Sequence, residues 1–121
     1  MKNYPVVHAN LDAERAVISS LLLNDENYEL IKEIVDQEDF YFHPHQLIFD
    51  AIKRGIVEHG RVDLIVIEDR LKSLGMLERA GGMHYLEALQ DDIPSIGMIK
   101  PYAKIVRDLS EIRGNRAPKD L

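Results

Sequence analysis

The stretch DFYFHPHQLIFDAIKRGIVEHG, residues 39–60, holds the strongest clues to the fold. The aromatic run Phe40–Phe42 cannot face a single side of a helix, so we expect a loop or single turn that plugs the core. Pro44 predicts a helix start, because its missing N–H would be unpaired there anyway, and Gly60 is a suitable stop. Apolar residues follow at helical spacing: Leu47, Ile48, Ala51, Ile52 and Ile56. The stretch therefore predicts a buried aromatic turn followed by a long amphipathic helix.

The residues before this stretch predict two more helices. Asn10 can cap a helix over residues 11–23, whose first turn holds Asp12 and Glu14. The helix dipole favours acids at that position. An apolar stripe follows, made of Leu11, Val17, Ile18, Leu21 and Leu22. A shorter second helix is expected over residues 27–35, with an inner face of Tyr28, Ile31, Ile34 and Val35.

A fourth helix is expected after residue 60. Gly55 interrupts the third helix at a cost of about 1 kcal/mol relative to alanine, which indicates a closely packed neighbour. Asp63 is expected to cap the fourth helix, which runs through Leu74, and Gly75 fits the left-handed position after it. Its predicted inner face is Leu64, Ile67, Leu71 and Leu74.

Two further helices complete the predicted fold. Gly81–Gly82 form a flexible turn before a fifth helix over residues 83–90. The last helix is expected to begin between Ser95 and Pro101 and to run to Arg113. No strand pattern, internal repeat or domain linker competes with these elements. The predicted fold is all-α: a compact, orthogonal multi-helix globule of about six helices.

Composition excludes several classes of protein. The chain has 121 residues, no cysteine and a net charge of −6. Without cysteine, a disulfide scaffold, a cysteine zinc site and a thiol nucleophile are excluded. No apolar run of about 18 residues predicts a membrane span, and the N-terminus lacks the apolar core of a signal peptide. We therefore expect a cytoplasmic protein with little or no direct nucleic-acid binding, because domains that neutralise phosphates are usually basic.

Charge is unevenly distributed along the chain. Seven acids and one base lie in residues 25–39, whereas residues 100–121 hold six bases and three acids. These segments are either two solvated helix faces or an acidic and a basic patch that steer association. The bases of the candidate partner surface are Lys100, Lys104, Arg107 and Arg113.

Motifs for catalysis are scarce. The chain has no GxxxxGK[ST] phosphate loop, and Gly81–Gly82 lacks the context of a dinucleotide site. His43 and His45 flank a proline, so capping or core packing is favoured over a metal site built from them and nearby acids. Asp39 and Asp63 could form a carboxylate pair, but Asp63 is better explained as a helix cap. No catalytic residue, cofactor site or metal ligand is expected, which favours a helical module that contacts other proteins.

An ordered set of short segments spans residues 10–113. The segments are NLDAERAV at 10–17, LLL at 21–23, DFY at 39–41, PH at 44–45, IF at 48–49, AI at 51–52, G at 60, DL at 63–64, LKSLGML at 71–77, GG at 81–82, YL at 85–86, PS at 94–95 and YAKIVR at 102–107. In this order and spacing they resemble the N-terminal domain of DnaB-type replicative DNA helicases. The resemblance implies structural roles for Asp39, Phe40, Tyr41, His45, Asp63, Gly75, Gly81 and Gly82.

The resemblance also implies partners. In this family the domains pair into a collar, a trimer of dimers, above a hexameric ATPase ring. The collar docks primase, and family members also meet helicase loaders. ATP and Mg²⁺ bind a separate C-terminal RecA-like domain, so this chain alone would have no catalytic activity. Within the domain, the resemblance makes Phe40 and Tyr41 a core plug, His45 a helix-start residue and Asp63 a cap.

The end of the chain departs from the family pattern. The family's last helix continues into a helical hairpin used for pairing, whereas here Gly114, Pro118 and the terminus interrupt it. Gly55 and Pro101 are also unusual for the family. We expect an N-terminal arm over residues 1–9, the helical domain over 10–113 and a frayed tail over 114–121.

Four hypotheses of function follow from these patterns. The first is the assembly and docking domain of a replicative helicase, present here as a fragment of a longer chain. The second is a free-standing phage- or plasmid-type regulator that mimics this domain. The third is a small metal enzyme that uses His43 and His45. The fourth is a DNA-binding domain that uses the basic stretch from Lys100 to Lys119.

Overall fold

The computed structural model describes residues 6–95 and 97–117. Over these residues the chain forms six α-helices and no strand, which confirms the predicted all-α fold. The helices are α1 (Leu11–Leu23), α2 (Tyr28–Ile31), α3 (His43–His59), α4 (Leu64–Ser73), α5 (Gly82–Asp91) and α6 (Ile99–Ile112). Two 3₁₀ turns, Asp25–Asn27 and Gln37–Asp39, flank the region of α2. None of the helices in this part of the chain has the length and apolar character needed to cross a membrane.

Helix α1 lies at the centre of the packing, in contact with α3, α5 and α6. Its buried side chains meet those of α3, and the aromatic turn before α3 adds one fully buried ring. The largest buried side chains are Ile18, Leu21, Ile31, Phe40, His45, Ile48, Phe49, Ile52, Ile67, Leu71, Leu86 and Leu89. One continuous core therefore joins all six helices, and burial of this apolar area stabilises the fold.

Local capping sets the ends of the long helices. Asn10 Oδ1 accepts a hydrogen bond from the Ala13 N–H at 3.0 Å, which satisfies a free donor in the first turn of α1. Asp63 Oδ1 accepts from the Val66 N–H at 3.0 Å and starts α4 in the same way. Helix α3 ends at Gly60, whose φ of 78° is favourable only for glycine. These ends follow from residues next to them in sequence.

The predicted second helix over residues 27–35 is wrong in extent. The structure has the 3₁₀ turn Asp25–Asn27, then one helical turn in α2. Asn24 Oδ1 accepts from the Glu26 N–H at 3.0 Å, and buried Asp25 accepts from the Val62 N–H at 2.9 Å. These side-chain contacts hold the backbone in non-helical geometry at the start of the segment.

The predicted inner face of α4 is wrong at its last position. Ile67 and Leu71 are buried, but Leu74 is 54% exposed. The helix ends at Ser73, so Leu74 follows the last helical turn and leaves the inner face.

Substituting Gly55 with alanine is expected to lower the free energy of unfolding by about 1–3 kcal/mol. A Cβ at this position would lie 2.6 Å from Val62 Cγ2 and 3.1 Å from Val62 Cβ. This overlap outweighs the gain of about 1 kcal/mol in helix propensity. Urea denaturation of G55A alone and with Val62→Ala checks the cause, because the smaller neighbour should remove most of the loss. Equal losses in both backgrounds would contradict the steric explanation.

Candidate functional site

Glu14 is the centre of a buried polar network. Its carboxylate lies on α1 and accepts hydrogen bonds from the Tyr41 N–H at 2.7 Å and the Phe42 N–H at 3.3 Å. The same carboxylate lies 2.7 Å from His45 Nδ1, and both side chains are almost completely buried. The network therefore anchors the aromatic turn and the start of α3 to α1. Sequence reasoning placed Glu14 in the first turn of a helix but did not find this role.

His45 has a partner on each side of its ring. A carboxylate only accepts, so Nδ1 donates to Glu14. Nε2 lies 2.6 Å from the Tyr85 hydroxyl of α5, and the two rings stack with their centroids 5.9 Å apart. Burial raises the pKa of Tyr85 above its ordinary value, so the phenol keeps its proton. The imidazole is thus fully used in joining α1, α3 and α5.

The histidine pair does not converge on a metal site. His43 is exposed at the first position of α3, whereas His45 is buried in the network just described. Across residues 6–95 and 97–117, no group of three or more His, Asp or Glu side chains is arranged to hold a metal ion. The arrangement agrees with the interpretation of His45 as a residue that packs in the core.

Asp39 forms a second buried polar centre. Its Oδ2 accepts from the Asp36 N–H at 2.7 Å and from Arg116 Nη1 at 2.5 Å. Its Oδ1 accepts from the Ser110 hydroxyl at 2.8 Å. The carboxylate therefore joins the 3₁₀ turn before α3 to the end of α6, and Asp63 is separately used as the cap of α4. Each of the two aspartates thus has its own structural partners.

Substituting Asp39 with asparagine is expected to lower the free energy of unfolding by about 2 kcal/mol. An amide keeps the volume and can turn its oxygen towards the Asp36 N–H and Arg116, but it carries no charge to pair with Arg116 and presents an NH2 group to the Ser110 hydroxyl. Ser110→Ala serves as the control, because it removes one neutral donor and should cost about 1 kcal/mol. Thermal unfolding followed by circular dichroism measures both losses. An asparagine variant as stable as the parent would contradict a charge-dependent role.

Arg113 connects the end of α6 to the N-terminal residues. Its Nη1 donates to the His8 carbonyl oxygen at 2.6 Å, and its Nη2 donates to the Asp39 carbonyl oxygen at 2.7 Å. Its Cζ lies 5.4 Å from the centroid of the Tyr41 ring, a cation–π contact. Tyr41 is 48% exposed, so the expectation that it plugs the core with Phe40 is corrected: only Phe40 is buried.

The predicted basic surface is divided by the structure. Lys100 and Lys104 are exposed. The Arg107 side chain is 8% exposed, and its Nε donates to Glu111 Oε1 at 2.9 Å. Arg107 Nη1 also donates to the Ile34 carbonyl oxygen at 3.3 Å. Arg107 and Arg113 therefore stabilise the fold and do not form a continuous charged surface with the lysines.

The acidic segment is also partly structural. Asp25 and Asp39 are buried. Asp36 accepts from the Gln37 N–H at 2.8 Å and pairs with Lys53 Nζ at 2.9 Å. Asp25, Asp36 and Asp39 are therefore engaged in local structure, so residues 25–39 do not act as a single solvated acidic face.

One flank of α6 carries a line of half-exposed apolar side chains. Met98 is 42% exposed, Ile105 38% and Ile112 60%, and Tyr102 and Leu109 are partly exposed between them. We call these five residues the α6 stripe. A shallow groove between α1 and α6 borders it and is lined in part by Tyr102 and Ile105. Sequence reasoning noted the helical spacing of the α6 residues but not that this flank lacks cover.

Comparisons with known proteins agree with this fold. The sequence profile of the family described as DnaB-like helicase N terminal domain matches residues 6–108. The replicative DNA helicase DnaB of Buchnera aphidicola is 36% identical over 104 residues, which are 86% of this chain and 22% of that protein. The replicative DNA helicase DnaC of Bacillus subtilis is 33% identical over 105 residues, which are 86% of this chain and 23% of that protein. The chain thus spans less than a quarter of the length of these relatives.

A solved structure gives the same result. The crystal structure of the N-terminal domain of DnaB helicase from Mycobacterium tuberculosis superposes with a TM-score of 0.82 at 29% sequence identity. The match covers 89% of this chain and 77% of that one. The resemblance predicted from the ordered segments is confirmed, and the chain belongs to the family of DnaB-like helicase N-terminal domains.

Proposed function

We propose that this chain is the non-catalytic assembly domain of a replicative DNA helicase, which self-associates and docks primase and a helicase loader. The observation that carries the proposal is the family match over residues 6–108. The α6 stripe supports it, because uncovered apolar side chains in a row favour contact with another protein. On this proposal, ATP and Mg²⁺ bind the remainder of the full-length protein, where the phosphate loop lies.

The use of the polar side chains supports a non-catalytic role. Glu14, His45 and Asp39 are buried titratable groups, and each is bonded to neighbouring helices or turns. Such groups hold elements together and are not free to bind or activate a substrate. Surface recognition then remains the activity that this domain contributes.

Light scattering of the chain, alone and mixed with primase, tests the proposal. We expect a mass that rises from monomer towards dimer with concentration, and a larger complex when primase is added. The same measurement with the loader tests the second docking partner. A strict monomer that ignores both proteins would contradict the proposed function and leave the fold unaffected.

We propose further that the domain contributes little to DNA binding. Three of the four bases expected on a surface, Lys104, Arg107 and Arg113, donate to protein groups, and the chain carries a net charge of −6. Titration of labelled single-stranded DNA at low salt checks this. Binding that weakens steeply as salt is added would overturn it, because such dependence reports phosphate contacts.

A further inference from the structure

We propose that the groove between the end of α1, α2 and the start of α6 binds an amphipathic helix of a partner protein, apolar along one face and flanked by lysine and arginine. We call it the α1–α6 groove, and its apolar lining is Leu23, Leu30, Pro94 and Ile99. This inference rests on the proposed role in docking other proteins. It names one docking surface, lined by other residues than the α6 stripe, and the chemistry of the segment that this surface takes.

The α1–α6 groove exposes apolar side chains around a sizeable space. Its volume is about 510 Å³, within the range of roughly 300–1,000 Å³ that is typical of ligand sites. Leu23 is 58% exposed and Leu30 is 47% exposed. Ile93, which precedes the lining residue Pro94, is 81% exposed. Apolar side chains left open to solvent around one groove favour contact with the apolar face of another protein.

Polar groups that line the groove are bonded within the domain. Asn27 Nδ2 donates to the Ser20 carbonyl oxygen at 3.0 Å, and the Ser20 hydroxyl donates to the Ala16 carbonyl oxygen at 2.7 Å. Asn24 Oδ1 accepts from the Glu26 N–H at 3.0 Å. Because these groups already have partners, an occupant of the groove is recognised mainly through its apolar side chains.

The surroundings of the groove are acidic. Glu26 lies on the chain between the two lining asparagines, and Asp91 and Asp92 lie three and two residues before the lining proline. All three carboxylates are exposed, and none forms an ion pair within the described part of the chain. Lys100 is the base that lines the groove. Three acids against one base give these positions a net charge of −2, which favours an occupant with basic flanks.

Charge and fold argue against other occupants. A second copy paired groove to groove would bring the same acids together, and a nucleic acid or an anionic membrane surface would bring phosphates to them. The described residues form no strand, so they offer no sheet edge to which an extended segment could be added. A helix with apolar side chains at i, i+3, i+4 and i+7 is the remaining form, and it is the form in which amphipathic segments enter apolar grooves.

Fluorescence anisotropy with a designed helix tests the groove. The probe is a fluorescein-labelled peptide of about 14 residues, about 21 Å long as a helix, with leucine at the apolar positions and lysine and arginine beside them. We expect a dissociation constant on the order of 10⁻⁵ M. The same peptide with glutamate at the basic positions should bind at least tenfold more weakly. Equal binding of the two peptides, or no saturable binding of the basic peptide up to about 1 mM, would overturn the proposal.

A neutral substitution in the groove tests the apolar contact. Leu30→Gln should weaken binding of the basic peptide at least tenfold, because it removes an apolar side chain from the lining. Ile65→Gln is the matched control, since Ile65 is an exposed apolar residue on α4, and it should change the affinity less than twofold. Circular dichroism checks that both variants are folded. Equal effects of the two substitutions would show that the peptide binds elsewhere.

A pair of charge reversals tests the acidic surroundings. E26K/D92K should weaken binding of the basic peptide at least tenfold. D69K/E78K changes the net charge by the same amount at exposed acids outside the groove lining and should weaken it less than threefold, because salt screens distant charges. Equal losses in the two double variants would mean that net charge alone attracts the peptide, and would overturn the role of the groove.

Two further outcomes separate this inference from the proposed function. If Leu30→Gln changes the sedimentation of the chain on its own, the groove belongs to a contact between copies and the inference is overturned. A chain that associates with primase or the loader in light scattering but ignores the basic peptide overturns the groove and leaves the proposed function intact.

Discussion

Replacing Glu14 with alanine is expected to lower the free energy of unfolding by about 3–5 kcal/mol. The change leaves three donors without their shared acceptor: the Tyr41 and Phe42 N–H groups and His45 Nδ1. Buried donors without partners each cost about 1–3 kcal/mol, and the charged acceptor adds to the loss. Urea denaturation followed by far-ultraviolet circular dichroism measures the change.

The control for this experiment is Glu87→Ala, which removes an exposed carboxylate from α5. We expect the free energy of unfolding of this control variant to change by no more than about 0.5 kcal/mol. Glu14→Gln keeps one acceptor oxygen and should fall between the two variants. A Glu14 variant that unfolds at the same urea concentration as the Glu87 variant would show that the network does not stabilise the fold.

Replacing Phe40 with alanine is expected to lower the free energy of unfolding by about 3–5 kcal/mol. The ring is fully buried, and its centroid lies 5.0 Å from that of Phe49 and 6.4 Å from that of His45. Removal leaves a cavity in the centre of the core, and the helices around it are held by the Glu14 network and so close over it poorly. The same denaturation experiment gives the loss.

Tyr41→Ala is the matched comparison, because Tyr41 is the adjacent aromatic residue and is half exposed. Removing the Tyr41 ring removes its contact with Arg113, so the free energy of unfolding is expected to fall by about 0.5–1 kcal/mol. Comparable losses at Phe40 and Tyr41 would contradict the division of the aromatic turn into one buried and one surface ring.

Helix ends were predictable where a signal lies next to them in sequence. Asn10 and Asp63 cap their helices through N–H groups three residues away. Gly60 stops α3 through its own backbone geometry. Contacts over such short ranges leave a clear pattern in the sequence, and with the family resemblance they were sufficient for the fold.

The polar centres could not be predicted because their partners are distant in sequence. Glu14 bonds to residues 27–31 positions away, and Asp39 to Ser110, 71 positions away. An acid in a first helical turn looks the same in sequence whether it faces solvent or three buried donors. Arg107 is different, because it directly follows the core residue Val106 on α6. Helical spacing alone therefore indicated that Arg107 lies close to the core.

Several expectations stay predictions. The division into an arm, a domain and a tail is one, and Pro118 at the expected end of the last helix lies outside the described residues. The docking of primase and of a loader is another.

The hydrogen bonds that hold the end of α6 have a mechanical consequence. Ser110 and Arg116 both bond to the Asp39 side chain, and Arg113 bonds to its backbone carbonyl. A pull on the polypeptide beyond α6 would load these bonds in shear before it could peel α6 from α1. Asp39 would then pass such tension from the end of α6 to the turn before α3.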